Sequence, residues 1–278
     1  MPVTIPLSSE LEADCSNCFA LCCNAFGFSR SADFPIDKPA GVPCPNLEPD
    51  HSCGIHRSLH ARGFRGCAAF DCFGAGQAVS QRLFHGTEPD RDSQERRTMF
   101  AAFAVVRQLH EMLWHLAEAR ARTFDPDAAR AALHLAELVA RTARGTIDAL
   151  VRTDVNALHA RVALALRQVS EEVRAGYRAD ARATVPDAYP GADLAGRDLR
   201  AHSLCGADLR GACLIAADLR GSTLAGVDLL GADLRDARIE GADLSTALYV
   251  TQPQIAAARG SADTTLPHRL SPPAHWGS

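Results

Sequence analysis

The sequence predicts a multidomain α+β protein, and three patterns in its 278 residues carry that reading. Eight of the ten cysteines fall between Cys15 and Cys72. Apolar residues then recur at helical spacing from about Asp92 to Tyr177, and twelve consecutive five-residue units run from Ala192 to Thr251. The expected division is a Cys-rich metal-binding domain over residues 1–90, a helical domain over 91–185, a repeat domain over 186–251, and a capping helix with a tail over 252–278.

The cysteine segment reads Cys15-x2-Cys18-x3-Cys22-Cys23, then Cys44-Pro45, Cys53, Cys67 and Cys72. Met1-Pro2-Val3-Thr4-Ile5-Pro6 has no basic segment and no long apolar run, so no signal peptide is expected. No stretch approaches the roughly 20 apolar residues that span a bilayer. In the cytoplasmic protein this implies, thiols stay reduced, and the cysteines are read as metal ligands, not as a disulfide framework. Closely spaced thiols on one short turn share a soft ion at little cost in chain entropy. Adjacent Cys22 and Cys23 point in different directions, which suits two metals, or one metal and one packing role. Eight thiolates suffice for two four-coordinate zinc sites or two iron–sulfur clusters. The segment is poor in apolar residues for its length, so ligation would supply folding free energy that a thin core does not. His51, His56 and His60 surround Cys53 as candidate ligands or as groups that orient one. Gly74-Ala75-Gly76 reads as a flexible exit, too short for a phosphate loop. The alternative for the whole segment is buried free thiols or a redox-labile loop.

This pattern resembles a zinc- or iron-chelating family built around a Cys-x2-Cys-x3-Cys-Cys cluster, and the resemblance covers roughly Cys15 to Cys72. It implies metal binding, with zinc, iron or an iron–sulfur cluster as cofactor, and leaves any reaction open.

In the helical segment, Met99, Phe103, Val106, Leu113 and Ala117 share one stripe, and Ala128, Ala131, Leu135 and Leu138 share another. Asp125-Pro126-Asp127 is a helix start, with Pro tolerated in the first turn. A break near Gly145 and a further helix from about Asp154 to Tyr177 predict a helical hairpin or a three-helix bundle. His110, Glu111 and His115 imitate a zinc-protease helix, but histidines five apart lie about 140° round it. His115 with Glu118 and His134 with Glu137 resemble di-iron bundle pairs in reversed order. Both stripes read as solvated faces. Pro186 and Pro190 mark the lead into the repeats.

The repeats read Ala-Asp-Leu-x-Gly with small variations, as in Ala207-Asp208-Leu209-Arg210-Gly211. The central position is Leu or Ile from Leu194 to Leu244, and the position two before it is usually Ala. Two inward side chains per unit cannot be buried by one unit alone, so the units must stack as a solenoid. The pattern resembles the pentapeptide-repeat family, which implies a right-handed quadrilateral β-helix of about three coils with four units per turn. Arg197 and His202 replace the small inward residue in the first coil, where a charge is costly to bury. They are candidate ligand contacts, or part of a frayed first turn. Cys205 and Cys213 are expected to face outward. Tyr249 stands where Leu is usual and suits a terminal plug, and Thr251-Gln252-Pro253 starts a helix covering the open end. The tail beyond Gly260 is expected to be extended and locally packed.

The net charge is −4 and the pI about 6.2, which excludes a general nucleic-acid surface. The expected function is a metal-binding repeat protein whose solenoid docks an unknown protein partner or small molecule. The alternative is a metal-dependent oxidative enzyme using iron held by the cysteines. A gyrase-binding DNA mimic needs a long acidic rod. Nine acids against six arginines from Ala192 to Thr251 leave a net of about −3, too weak for that role.

Overall fold

The computed structural model describes residues 8–178, 188–200 and 202–277. Residues 1–6, Pro186 and the expected boundary at 185–186 lie outside them. The chain divides into two compact units: Met1–Cys67, Asp71–Ala121 and Asp125–Leu166 form one, and Ala68–Phe70, Arg122–Phe124 and Arg167–Ser278 form the other.

In the first unit, α1 (Leu21–Ala25), α2 (Arg65–Ala68) and α3 (Ala75–Gln77, running on as a π-helix over Ala78–Leu83) are short pieces among loops. Leu11, Leu21, Ile55, Phe64, Phe73, Val79 and Phe84 of this segment are all buried.

The long helices follow: α4 (Gln94–Arg122), α5 (Pro126–Ala143), α6 (Ile147–Val151) and α7 (Val155–Arg178). Met99, Phe103, Val106, Leu109, Leu113 and Leu116 bury one stripe of α4. Asp125 caps α5 by accepting from the Asp127 amide at 2.8 Å, as its place before Pro126 requires. A fourth helix appears because Thr146, just after Gly145, accepts from the Ala149 amide at 3.3 Å and starts α6 anew. His115 is only 6% exposed, so its stripe is not the solvated face expected, whereas His134 is exposed. No described helix is long and apolar enough to cross a membrane.

In the second unit, the repeat gives a correction of fold class. Among the described residues there is no strand and no sheet, and helix accounts for 43% of them. The expected quadrilateral β-helix is therefore not present as strands. The reason is local: each five-residue unit offers one bridging position and then turns, too short a stretch for a ladder. What holds the repeat is a series of isolated parallel bridges between residues 20 apart, as in Asp198↔Asp218, Asp218↔Arg238 and Asp208↔Asp228.

Each position of the motif has a physical cause. The central residue closes a turn by accepting from the amide three residues on, as when Ala212 N donates to Leu209 O at 3.0 Å. The third residue of that turn has positive φ, 64° at Gly211, which only glycine adopts freely. The Asp side chain accepts from the backbone amide two residues later, 3.3 Å for Arg220 N to Asp218, a local turn that Asp favours. Central Leu199, Leu209, Leu214 and Leu219 are fully buried, as are Ala212 and Ala217. Each buried Leu contributes about 2 kcal/mol relative to exposure.

The x position is often Arg, and it pairs with its own Asp. Arg200, Arg210, Arg220 and Arg235 hold Asp198, Asp208, Asp218 and Asp233 at 2.5–2.7 Å. Arg200 and Arg238, on the circuits before and after it, also reach Asp218 at 3.5 and 3.7 Å. Hydrogen bonding to Arg220 holds the Asp218 carboxyl down at about 2. The acids of the repeat are thus largely neutralised in place.

One polar cluster in this unit is buried. Arg174 of α7, 2% exposed, donates to Ser170 Oγ at 3.0 Å, Gly206 O at 3.2 Å and Asp208 Oδ2 at 3.0 Å. Ser170 in turn donates to Asp228, which is fully buried, and Arg210 Nε stands 3.5 Å from the same carboxylate. Burial pushes the Asp228 carboxyl up.

Beyond Thr251 comes α8 (Gln252–Ala257), with a capping box between Thr251 and Gln254. Gln254 Nε2 donates to Leu229 O and Ala232 O at 2.8 and 2.9 Å. The tail is not merely extended: Arg259 and Thr265 bridge in parallel to Arg238 and Asp243. Its end folds back as Trp276 Nε1 donates to Ala258 O at 3.0 Å. A Cβ on Gly260 would lie 2.5 Å from the Trp276 ring, so glycine is needed there for close approach.

Candidate metal centre

All eight cysteines from Cys15 to Cys72 belong to the first unit, and all are free thiols. Cys15 is exposed, Cys44 is buried and the other six are half-buried. Asp14 caps the turn that starts at Cys15 by accepting from Ser16 N at 3.1 Å, and Cys18 N donates to Cys15 O at 3.4 Å. Ala20, in the left-handed region at φ 50°, redirects the chain into α1. There Cys22 and Cys23 stand with their sulfurs 3.9 Å apart.

Backbone geometry draws the distant cysteines toward these. Cys44 N donates to Cys23 O at 3.1 Å. Leu47 pairs with Cys53 in an antiparallel bridge, and Gly54 N donates to Asn46 O at 2.9 Å. Cys67 lies in α2, its amide donating to Phe64 O at 3.2 Å. Cys72 returns over Cys18: a Cβ on Gly76 would lie 2.7 Å from Cys18 Sγ and 3.7 Å from Cys72 Sγ. The glycines after Cys72 are therefore a requirement of close approach, which replaces their reading as a flexible exit. Gly74, at φ 73°, would meet Glu10 O at 2.0 Å with any Cβ.

Several thiols receive backbone N–H groups. Leu21 N donates to Cys18 Sγ at 3.4 Å; Ile55 N serves Cys53, and Gly74 N and Gly76 N serve Cys72. Burial pushes the Cys18 thiol up to about 11 and that of Cys67 up to about 12. Within the vicinal pair, the hydrogen bond from Cys22 pulls Cys23 down to about 7, and that same bond and then burial push Cys22 up. Lys38, 4% exposed, donates to Phe26 O and to Pro39 O. Burial lowers its ammonium, while charge on Cys44, Cys23, Cys22 and Cys67 pulls it back up.

As the side chains stand, no group of three or more His, Cys, Asp or Glu among the described residues is arranged to hold a metal ion. His51 Nε2 lies 3.5 Å from Glu88 and its ring tilts on Phe19, and His56 is exposed. His60 is half-buried. In the other unit Arg197 and His202 are both exposed, so neither is a charge buried in the first circuit. Cys205 and Cys213 are half-buried, and Cys205 donates to Thr223 O at 3.7 Å.

Sequence reasoning gave no role to Lys38 or Ser80 and read Gly74 and Gly76 only as a flexible exit. Ser80, buried, accepts from Phe19 N at 3.1 Å and hydrogen-bonds the Cys18 thiol. The available signals were the single lysine of the chain inside the cysteine segment and two glycines directly after its last cysteine.

The family model "Pentapeptide repeats" matches eight copies over residues 191–224 and 212–248. "Uncharacterized protein YybG" of Bacillus subtilis (strain 168) is 47% identical over 268 residues, covering 96% of this chain and 95% of the relative. Among solved structures, a pentapeptide repeat protein, Rfr23, from the cyanobacterium Cyanothece 51142 is 26% identical over 27% of this chain and 53% of its own, with a TM-score of 0.21. A pentapeptide repeat protein from the Arabidopsis thaliana thylakoid lumen is 28% identical over 29% of this chain and 57% of its own, with a TM-score of 0.16. The chain thus spans little more than half the length of these two solved proteins.

Proposed function

Since the chain belongs to one family with YybG of Bacillus subtilis and carries pentapeptide repeats over residues 191–248, we propose that it is a metal-binding protein working in a reducing compartment, with the repeat as a rigid docking scaffold. The observation that carries this reading is the cradle over Gly76. Two thiols 54 residues apart in sequence converge where even one methyl group would not fit, and backbone N–H groups already face them. Hydrogen bonds of this kind favour the thiolate, the form that ligates metal.

The donor set fits a thiophilic metal. Cys15, Cys18, Cys22, Cys23, Cys44, Cys53, Cys67 and Cys72 would supply the ligands, with zinc, iron or an iron–sulfur cluster as the group held. Small side-chain rotations must close the set, since the thiols are not gathered as they stand. His51, His56 and His60 would be further candidate ligands, or groups that orient one. Bound metal would fix loops that hydrogen bonds alone connect, and would replace the proton on thiols whose burial now keeps them neutral.

For the scaffold role, the support is the rigid turn-and-bridge stack with its paired Asp and Arg surface. Such a surface offers directional polar contacts without a strong field, which suits a protein partner or a small molecule and not a DNA-binding enzyme deceived by negative charge. The test is anaerobic purification followed by metal analysis and a visible spectrum. Zinc or iron in stoichiometric amount is the expected result; metal-free protein that takes up none on addition sinks the reading.

A further inference from the structure

We propose that His110 of α4 is a positioning residue for Cys72: it holds Phe73 in a backbone conformation that a bulky side chain disfavours, and the turn so formed lays Cys72 beside Cys18 over Gly76. The use of that cradle rests on the metal-binding reading above, whereas its cause rests on contacts alone.

Cys72, Phe73, Gly74 and Ala75 close a turn in which Ala75 N donates to Cys72 O at 2.9 Å. Both central residues have positive φ, 49° at Phe73 and 73° at Gly74, the mark of a mirror-image turn. Gly74 adopts that conformation freely. A bulky aromatic residue does not, and it stays there only where its surroundings enforce it. Left to local preference, the chain would leave Cys72 in another direction.

Phe73 is gripped at three points. Its amide donates to Asp71 Oδ1 at 2.7 Å, its carbonyl oxygen lies 2.7 Å from His110 Nδ1, and its ring packs against Trp114 with centroids 6.0 Å apart. His110 and Trp114 stand four apart on α4 and therefore share one face. Phe73, His110 and Trp114 are all buried, so water competes poorly for the carbonyl. A carbonyl oxygen only accepts, so the imidazole carries a proton on Nδ1. Burial disfavours the imidazolium, which leaves the neutral Nδ1–H ring as the donor. The Asp71 contact is local and pins the amide; His110 reaches across 37 residues of sequence and pins the carbonyl.

With the turn fixed, Gly76 passes beneath both sulfurs, a Cβ there lying 2.7 Å from Cys18 Sγ and 3.7 Å from Cys72 Sγ. The amides of Gly74 and Gly76 serve Cys72 from the same turn. Without the His110 donor, Phe73 is expected to relax to negative φ and carry Cys72 away from Cys18.

The test is reaction of the reduced, metal-free full chain with dibromobimane, which bridges neighbouring thiols, followed by peptide mapping. Wild-type protein is expected to give a Cys18–Cys72 bridge and a Cys22–Cys23 bridge, the latter from sulfurs 3.9 Å apart. His110→Phe, which keeps a ring but has no donor, is expected to lose the first bridge at least fivefold and to keep the second. His110→Asn, whose amide can stand where Nδ1 stood, is expected to restore the first. Absence of the first bridge from wild type, its persistence in His110→Phe, equal loss of both bridges, or failure of His110→Asn to restore it overturns the assignment. Should His110→Phe fail to fold, nitrogen-15 NMR of the wild type replaces it: a neutral His110 ring protonated at Nδ1 is expected, and one protonated at Nε2 overturns the bond. Metal uptake judges the other reading separately, since wild type that binds no metal but shows the bridge pattern sinks metal binding and leaves the role of His110 standing.

Discussion

Replacing Arg174 with Met tests whether the buried polar cluster against the repeat is held by charge compensation or by packing. Arg174 and Arg210 face Asp208 and Asp228, so the wild-type cluster balances. The substitution preserves most of the side-chain volume but leaves two carboxylates with one guanidinium, and removes three hydrogen bonds of 3.0–3.2 Å. Breaking a buried pair by removing one partner costs about 3–5 kcal/mol. Arg210 still contacts both carboxylates, and Arg178 still donates to Gly206 O at 3.1 Å, so the lower end, about 3 kcal/mol, is expected. Asp228→Asn should behave oppositely. Burial already disfavours the charged form of Asp228, and Asn can still accept from Ser170, so its cost is under about 1 kcal/mol. Urea unfolding followed by circular dichroism at neutral pH reads both. If Arg174→Met costs less than Asp228→Asn, the cluster is not held by compensation and the reasoning is wrong.

Gly76→Ala drives a methyl to 2.7 Å from Cys18 Sγ; overpacking of this kind costs about 1–3 kcal/mol, and metal uptake should weaken at least fivefold in a chelator competition. Gln254→Ala removes the cap on Thr251 and the donors to Leu229 O and Ala232 O, and a loss of about 1 kcal/mol is expected in thermal unfolding, against no change if α8 merely lies alongside. Asp218 has its carboxyl held below its ordinary 3.8, at about 2, by the hydrogen bond from Arg220. Because the folded value is depressed, the stabilisation is present above about pH 4 and is lost as pH falls toward 2; Arg220→Gln should flatten that part of the stability-against-pH curve, and an unchanged curve removes the pairing as its cause.

The repeat was readable because its cause is local. A period of five with Leu or Ile at its centre specifies which side chains go inward, and every central residue from Leu194 to Leu244 is buried. The same reading went one step too far in expecting strands, since one bridge per unit does not amount to a strand. The helix starts at Asp125 and Thr251 were legible from caps and prolines for the same local reason. His115 was misjudged because a helical stripe says which residues share a face, not what packs on it.

For the cysteines, sequence alone determined that eight thiols lie in one short stretch, and hence the chemistry on offer. It did not determine their partners: Cys72 meets Cys18, and Cys44 meets Cys23, through contacts between segments far apart in the chain. Nor did it expose the task of Gly76, which comes from a clearance that exists only once the loops have closed. Periodic and capping signals are written within a few residues, whereas ligand grouping and charge compensation depend on distances that the chain acquires only by folding.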